Sequence, residues 1–236
     1  MRESPPMSLL RPFARFVFSD WTRRGIKFDL LRLRARLCGP RRYRKPSSPL
    51  MHLGSGSTYV AGWVNVDVAG ADVNIDLTAR PLPFFDHSFE AVVSQHLIEH
   101  LDLETDVFAP VRELLRVLKP GGELWLSTPD MAKICRHYLE DGARVLHEYV
   151  RRRDPLSLPQ NAPERFVVNT LFFQRGYHRN LFDFELLSWV LCQCGFTDIQ
   201  RVNEKDILNR FPAFPPRHDD YEVLMVRCRK PMGGMR

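Results

Sequence analysis

The sequence lacks several features that mark particular classes of protein. Its five cysteines include one close pair, Cys192 and Cys194, with no second pair nearby. That spacing predicts neither a disulfide framework nor a four-ligand zinc site. No uncharged apolar run reaches the roughly 18 residues that a membrane span needs, and no apolar stretch with a small-residue cleavage site marks a secretory signal. We therefore expect reduced thiols, no metal site and a cytoplasmic protein.

Net positive charge is missing from most of the chain. Residues 1–48 contain 13 Lys and Arg and 3 acidic residues, a net charge of +10. Residues 49–236 contain 21 basic and 25 acidic residues, a net charge of −4. This asymmetry predicts a basic N-terminal extension over residues 1–48 that contacts something anionic, followed by a single domain over residues 49–236.

The extension has a partly helical pattern over residues 8–37. Ile26, Leu30, Leu33 and Leu37 recur at intervals of three and four residues, so they share one face of a helix. In the interpretation that we favour, this apolar face packs against the domain and the arginines remain in solvent. In the alternative, residues 8–45 form a basic amphipathic segment that lies on an anionic membrane surface. An organellar transit peptide fits the composition less well.

Short apolar runs alternate with helical patterns from Leu50 onward. Runs such as MHLG and FEAVVS have the continuous apolar character of buried parallel strands. The alternation predicts an α/β fold, a Rossmann-like and mostly parallel sheet with helices on both faces. Strands are predicted at 51–54, 63–68, 89–94, 123–127, 197–202 and 221–228, and helices at 102–118, 130–151 and 183–194.

The connection between the first two predicted strands is unusually short. Only residues 55–62 separate the glycine after the first strand from the second, whereas a parallel crossover usually takes a dozen residues or more. We therefore expect an abbreviated first crossover, in which a loop or a very short helix replaces the usual helix.

The strongest functional signal is the Gly54-Ser55-Gly56 turn that ends the first strand. Glycine lets backbone amides approach a ligand closely, because no Cβ intervenes. Asp67, at the end of the next strand, is placed to accept hydrogen bonds from both hydroxyls of a ribose. Tyr59 stands where a dinucleotide fingerprint needs its third glycine, and Asp67 comes too early for the acid of that fingerprint. An NAD-dependent oxidoreductase is therefore a poor match.

The order of these motifs resembles that of class I methyltransferases, which depend on S-adenosylmethionine (SAM). The resemblance extends from about Leu50 to Cys228 and includes MHLGSGS, GWVNVD, IDLTARPLPFFDHSFEAVVSQHLIEHL, RVLKPGGELWLSTPD and HRNLFDFELLSWVLCQCGF. The chain is most similar to small methyltransferases associated with bacterial glycan and lipopolysaccharide biosynthesis. This resemblance implies methyl transfer from SAM to an acceptor. The alternative is a catalytically inactive binding or scaffold protein with the same fold.

The resemblance also implies positions that bind SAM. The glycine turn lines the methionine part of the cofactor, Asp67 binds the ribose and Asp76 lies beside the adenine ring. The residues after the fourth strand face the sulfonium and its methyl group. The implied cofactor-binding residues are Gly54, Ser55, Gly56, Asp67, Asp76, Leu77, Ser94, Gln95 and His96.

The acceptor is narrowed mainly by motifs that the sequence lacks. No Asp/Asn-Pro-Pro-Tyr/Phe segment, Pro-Cys nucleophile or paired-glutamate loop is present, so base amines, pyrimidine carbons and arginine are disfavoured as acceptors. The hydroxyl of a saccharide or another small molecule is the predicted acceptor, and nitrogen and carbon acceptors stay open as alternatives. RNA is a less favoured partner. A hydroxyl acceptor calls for a general base, and His96 and His178 are equally good candidates. His100 is a weaker one.

Overall fold

The computed structural model describes residues 16–40, 42–79, 81–155 and 157–233. Its helices alternate with strands over most of this length. The strands are β1 (Leu50–Leu53), β2 (Val64–Asp67), β3 (Val73–Asn74), β4 (Phe89–Gln95), β5 (Leu118–Pro129), β6 (Thr197–Val202) and β7 (Val223–Arg229). The α-helices are α1 (Asp20–Cys38), α2 (Phe108–Val117), α3 (Met131–Asp141), α4 (Arg144–Arg153), α5 (Phe166–Phe173), α6 (Phe184–Gln193) and α7 (Glu204–Arg210), and short 3₁₀ turns cover Ile98–His100 and Gln174–Gly176.

The described strands form one seven-stranded sheet in the order β3-β2-β1-β4-β5-β7-β6. Strands β1 to β5 are parallel, and β7 is antiparallel to both of its neighbours. From β1 the chain moves outward through β2 to β3 and then returns to add β4 on the other side. Ligands of open α/β sheets bind beyond the carboxyl ends of the strands at such a switch point. The predicted Rossmann-like, mostly parallel fold is confirmed.

Both faces of the sheet are covered by apolar side chains, as the continuous apolar strands predict. On one face, Val92 of β4 packs in a buried cluster with Leu114 of α2 and Leu187 of α6. On the other face, Val93 and Trp125 pack in a cluster that includes Ile207 of α7. Each such buried side chain contributes about 1.5–3 kcal/mol. The core therefore holds the strand ends that surround the switch point in fixed positions.

Helices α3, α4 and α5 form a separate apolar cluster of their own, which includes Ile134, Leu146 and Val167. The sequence pattern predicts a helical segment over roughly residues 130–151, and the structure divides this segment into α3 and α4. Gly142 and Ala143 both have left-handed backbone angles, with φ of 70° and 69°. The predicted helical segment is therefore confirmed as two helices, and the break between them lets α4 pack on α3.

Other predicted boundaries differ from the structure in identifiable ways. Helix α2 begins at Phe108 instead of residue 102, because Asp102 accepts hydrogen bonds from the backbone of Glu104 and Thr105 in a turn. Strand β3 has only two residues, too few for a pattern. The abbreviated first crossover is confirmed, since residues 54–63 form turns without a helix.

The favoured interpretation of the extension is wrong. The apolar side chains of α1 are turned away from the domain: Ile26 is 43% exposed, Leu30 60% and Leu33 50%. The side that contacts the domain carries Ala35, which is buried, together with Arg32. Residues 8–15 of the predicted helical segment lie outside the described residues. Among the described helices, none has the length and apolar character to cross a membrane.

Candidate functional site

The glycine turn and Asp67 lie together at the carboxyl ends of β1 and β2. Gly54 and Gly56 have φ of 70° and 53°, in the left-handed region that favours glycine. The N–H of Gly54 donates to the carbonyl of Val66 at 2.8 Å. The N–H of Gly56 donates to Oδ2 of Asp67, also at 2.8 Å. The two motifs that the sequence analysis paired are therefore joined directly.

Space for a ligand remains next to this turn. A Cβ atom on Gly56 would have no heavy atom within 4 Å, whereas a Cβ on Gly54 would lie 3.0 Å from the Cβ of Leu97. Ser55, between the two glycines, is buried. Oδ1 of Asp67 accepts a hydrogen bond from the N–H of Val68 at 2.6 Å, but a carboxylate oxygen has lone pairs for further donors. The turn thus has an open side and an anionic edge.

Asp76 is buried beneath the N-terminal helix. Its Oδ2 accepts from Nε of Arg32 at 3.0 Å and from Nε of Arg36 at 2.7 Å. Its Oδ1 accepts from the backbone N–H and the hydroxyl of Thr78. Burial would raise the pKa of Asp76, but the hydrogen bonds from Thr78, Arg36 and Arg32 outweigh it and lower the pKa. Leu77 packs on the core. The predicted adenine-side carboxylate is therefore also the attachment point of α1.

The residues after β4 are held tightly by their neighbours. Ser94 and Gln95 are buried, and they pair in register with Leu53 of β1 and Ser127 of β5 respectively. The following residue, His96, has φ of 54°, and its N–H donates to the carbonyl of Ser127 at 2.9 Å. The chain leaves β4 through this left-handed residue.

His96 lies between two buried carboxylates. Its Nδ1 is 3.1 Å from Oε1 of Glu99, and its Nε2 is 3.2 Å from Oδ2 of Asp219. Burial would lower the pKa of His96, but the hydrogen bonds with Asp219 and Glu99 raise it to about 9. An imidazolium that donates from both nitrogens has no lone pair to accept a proton. Both ring nitrogens of His96 thus lie within hydrogen-bond distance of carboxylates, and its base role stays a prediction.

His178 differs from His96 in the hydrogen-bond partners of its ring nitrogens. Its Nδ1 is 2.6 Å from the carbonyl oxygen of Leu171, so Nδ1 carries the proton and donates. Its Nε2 is buried and has no hydrogen-bond partner within the described residues. Burial lowers the pKa of His178. A neutral ring with a free lone pair on Nε2 can accept a proton, and the base role of His178 stays a prediction.

The loop that carries His178 is fixed onto the segment after β4. The N–H groups of Arg179 and Asn180 donate to the carbonyl of Glu99 at 2.8 and 3.2 Å. The side chain of Asn180 bridges the backbone of Leu101 and Leu103. Glu99 thus contacts His96 through its side chain and the loop of His178 through its backbone carbonyl.

Two residues next to His96 were missed by the sequence analysis as site residues. Glu99 follows His96 by three positions in a 3₁₀ turn, and this spacing was a usable signal. Asp219 is 123 residues away in the sequence, in a loop without a motif. Its loop is held by Tyr149 of α4, whose hydroxyl donates to the carbonyl of His218, and by Lys133 of α3, whose Nζ donates to the carbonyl of Asp220. Helices α3 and α4 therefore support one wall of the site.

A comparison with known families identifies this arrangement. Residues 53–126 match the family described as a methyltransferase domain. The match extends from the end of β1 into β5 and includes the glycine turn, Asp67 and His96. The chain carries a class I, SAM-dependent methyltransferase domain. The predicted resemblance is thereby confirmed, and so is SAM as the cofactor of the domain type.

The methyltransferase domain also has individual relatives. "Probable tRNA methyltransferase 9B" of Bos taurus is 31% identical over 102 residues, which are 43% of this chain and 22% of that protein. The chain thus spans about a fifth of that relative's length. A Haloferax volcanii methyltransferase solved with the activator Trm112 is 14% identical, with 92% of this chain and 96% of that chain covered and a TM-score of 0.45.

A third similar protein is phosphoethanolamine N-methyltransferase 2 of Haemonchus contortus, solved with phosphomonomethylethanolamine and S-adenosylhomocysteine. It is 15% identical, with 88% of this chain and 53% of that chain covered and a TM-score of 0.42. The acceptors in these names belong to those proteins. The acceptor of the methyltransferase domain has to be inferred from its own residues.

Proposed function

We propose that this chain transfers the methyl group of SAM to a hydroxyl of a saccharide or another small molecule. The observation that carries the proposal is the bond between the Gly56 N–H and the Asp67 carboxylate, at the switch point of the sheet and beside open space. There, the backbone amide of the glycine turn lies beside the Asp67 carboxylate, which is suited to accept hydrogen bonds from a ribose. The match of residues 53–126 to methyltransferase domains supports the same reading.

The reaction is an in-line displacement at carbon. The acceptor oxygen attacks the methyl carbon, the bond from sulfur to carbon breaks with its electron pair going to sulfur, and the hydroxyl proton is released. Sulfonium is a good leaving group, so holding donor and acceptor in line supplies most of the acceleration, up to roughly 7–11 kcal/mol. Of the two histidines predicted as bases, His178 has the free lone pair that proton removal needs.

The experiment that tests the proposal is transfer of label from isotopically labelled SAM. The chain is incubated with candidate glycans, small hydroxyl compounds, RNA and protein, and the Asp67→Ala variant serves as the control. We expect label on a hydroxyl compound with the parent chain and little with the variant. Label on RNA or protein alone would refute the acceptor class. Bound SAM with no transfer to any acceptor would favour the scaffold alternative.

A saccharide acceptor is supported by the resemblance to glycan-associated methyltransferases and by the missing motifs of base and arginine methylation. One observation favours RNA instead: the bovine relative is named as a tRNA methyltransferase. RNA phosphates would attract the basic extension without sequence preference. Binding to RNA that falls steeply with salt, together with label on RNA, would support that second candidate.

We also propose that α1 lies on an anionic membrane surface at the cytoplasmic face, close to a lipid-linked acceptor. The exposed side chains of Ile26, Leu30 and Leu33 form an apolar stripe. Arg23, Lys27 and Arg34 follow one edge of this stripe at helical spacing. Cations near an anionic leaflet contribute about 1 kcal/mol each, and the stripe adds apolar insertion.

Flotation with vesicles tests this surface. We expect the chain to float with vesicles that contain phosphatidylserine and to float less with neutral vesicles or at high salt. The double variant Leu30→Ser, Leu33→Ser should lose most of this binding. Leu139→Ser is the matched control, because Leu139 is 80% exposed on α3, away from the stripe. Equal flotation of both variants, or salt-sensitive RNA binding without flotation, would contradict the membrane proposal.

A further inference from the structure

We propose that Glu99, His100 and His178 form a binding site for a divalent transition-metal ion. Each residue offers one ligand atom, and the three atoms lie within 4.8 Å of one another. Two residues come from the 3₁₀ turn after β4 and the third from the loop fixed onto it by the hydrogen bonds to the Glu99 carbonyl. The site thus joins two segments that are 78 residues apart in the chain.

Both histidines have the tautomer that a metal site requires. Nδ1 of His100 is 3.1 Å from the carbonyl oxygen of Tyr177, and Nδ1 of His178 is 2.6 Å from that of Leu171. A carbonyl oxygen can only accept, so each Nδ1 carries the proton and each Nε2 has a lone pair. Backbone carbonyls hold metal-binding histidines in this way in many proteins.

Two buried atoms of the cluster have no hydrogen-bond partner among the described residues. They are Nε2 of His178 and Oε2 of Glu99, whose side chain is only 1% exposed. A buried polar atom without a partner costs roughly 1–3 kcal/mol and calls for an explanation. The three ligand atoms, all within 4.8 Å of one another, also repel each other because each carries lone pairs. A cation between them would satisfy both atoms and remove the repulsion.

Metal binding would require the three ligand atoms to move closer together. Four-coordinate Zn²⁺ takes bonds of about 2.1 Å to nitrogen and oxygen, which places its ligands roughly 3.4 Å apart. The ligand atoms, which lie within 4.8 Å of one another, would therefore approach by up to about 1.4 Å. The ring of His100 is half-buried, and its centroid lies 5.1 Å from that of His178, with the two ring planes tilted by 55°.

The donor set indicates the class of metal. Two imidazole nitrogens and one carboxylate oxygen suit Zn²⁺, Fe²⁺ or Mn²⁺, and they leave coordination positions open. Ca²⁺ and Mg²⁺ prefer oxygen ligands and fit this set poorly.

A role in catalysis follows from the place of the site, and this part of the inference rests on the proposed function. Leu97, which directly precedes this turn, lies against the glycine turn, so the proposed metal site is next to the proposed cofactor site. A hydroxyl bound there has a lowered pKa and loses its proton to water more easily. The lone pair of His178 would then serve the metal, which replaces its role as a base.

Zinc titration of the metal-stripped full chain tests the site directly. We expect one equivalent of Zn²⁺ by calorimetry, and one equivalent of Co²⁺ with visible bands of a low-coordinate nitrogen and oxygen site. His100→Ala and His178→Ala should each weaken Zn²⁺ binding at least tenfold. His137→Ala, on α3 and outside the cluster, is the matched control and should bind like the parent.

The outcomes separate this inference from the proposed function, because metal uptake requires neither SAM nor an acceptor. Circular dichroism and SAM binding establish that each variant is folded. If His178→Ala fails to fold, His100→Ala and Glu99→Gln carry the test. No uptake by the parent, or equal affinity of the parent and His100→Ala, would overturn the metal site. Uptake without any methyl transfer would support the site and count against the proposed function.

Discussion

Replacing Arg36 by methionine tests how α1 is attached to the domain. Methionine keeps the length and helix propensity of the side chain but removes the donor that lies 2.7 Å from Oδ2 of Asp76. Asp76 is 4% exposed, so water replaces this donor poorly on the carboxylate side. Arg36 itself is 44% exposed, so part of its charge is screened.

The expected cost follows from these two exposures. A hydrogen bond to a charged group contributes about 1.5–3 kcal/mol, and the screening of Arg36 reduces this to about 1 kcal/mol. For a chain of this size that is a fall in Tm of about 2–4 °C. Removing Arg32 as well leaves Asp76 with the two hydrogen bonds from Thr78, so we expect a combined loss of roughly 2–3 kcal/mol.

Urea denaturation at neutral pH measures these losses. Because the pKa of Asp76 is lowered in the folded state, its contribution is complete above the unfolded pKa of about 4. The contribution disappears as the pH falls below that value, so the cost of Arg36→Met should shrink in acid. Arg34→Met is the control, since Arg34 is exposed on another face of the helix. Equal losses for both variants, or an unchanged cost of Arg36→Met in an Asp76→Asn background, would refute the reasoning.

Two further substitutions test the site. Gly54→Ala should cost about 1–2 kcal/mol more stability than Gly62→Ala in thermal unfolding. Both glycines have positive φ, but a Cβ on Gly54 would also lie 3.0 Å from Leu97. Equal losses of stability would contradict this contact. His96→Leu should cost roughly 3–5 kcal/mol in urea denaturation, because it leaves Glu99 and Asp219 buried without their shared partner. A variant as stable as the parent would mean that His96 does not pair these carboxylates.

Much of the sheet was predictable because its signal is local. The strand at 197–202 has the predicted bounds, and β1 and β4 differ from prediction by about one residue at their ends. Helix α7 was missed because its seven residues are too few for an apolar period to develop, although the capping box at Asn203 was a usable signal. The orientation of α1 was not predictable from its apolar stripe. The helix is oriented by the hydrogen bonds of Arg32 and Arg36 to the buried carboxylate of Asp76, which is 40 or more residues away in the sequence.

The candidate site also has a part that was predictable from local sequence and a part that was not. Gly54, Gly56 and Asp67 come together as predicted, because adjacent parallel strands bring their carboxyl ends to one edge. The raised pKa of His96 was not predictable, since it depends on Asp219 from a loop without a motif. The pKa values of His96 and His178 are shifted in opposite directions. Two carboxylates contact the ring of His96, whereas a backbone carbonyl contacts the ring of His178.

Calorimetric binding of SAM to the Gly56→Arg, Asp67→Ala double variant tests the central claim most directly. The added arginine would fill the open side of the turn, and the lost carboxylate would remove hydrogen bonds to the ribose of about 1.5–3 kcal/mol each. We predict that the parent and the exposed-site control Glu104→Ala bind SAM, and that the folded double variant shows no measurable binding. Binding of SAM by the double variant with the affinity of the parent would contradict the assignment of this turn as the cofactor site.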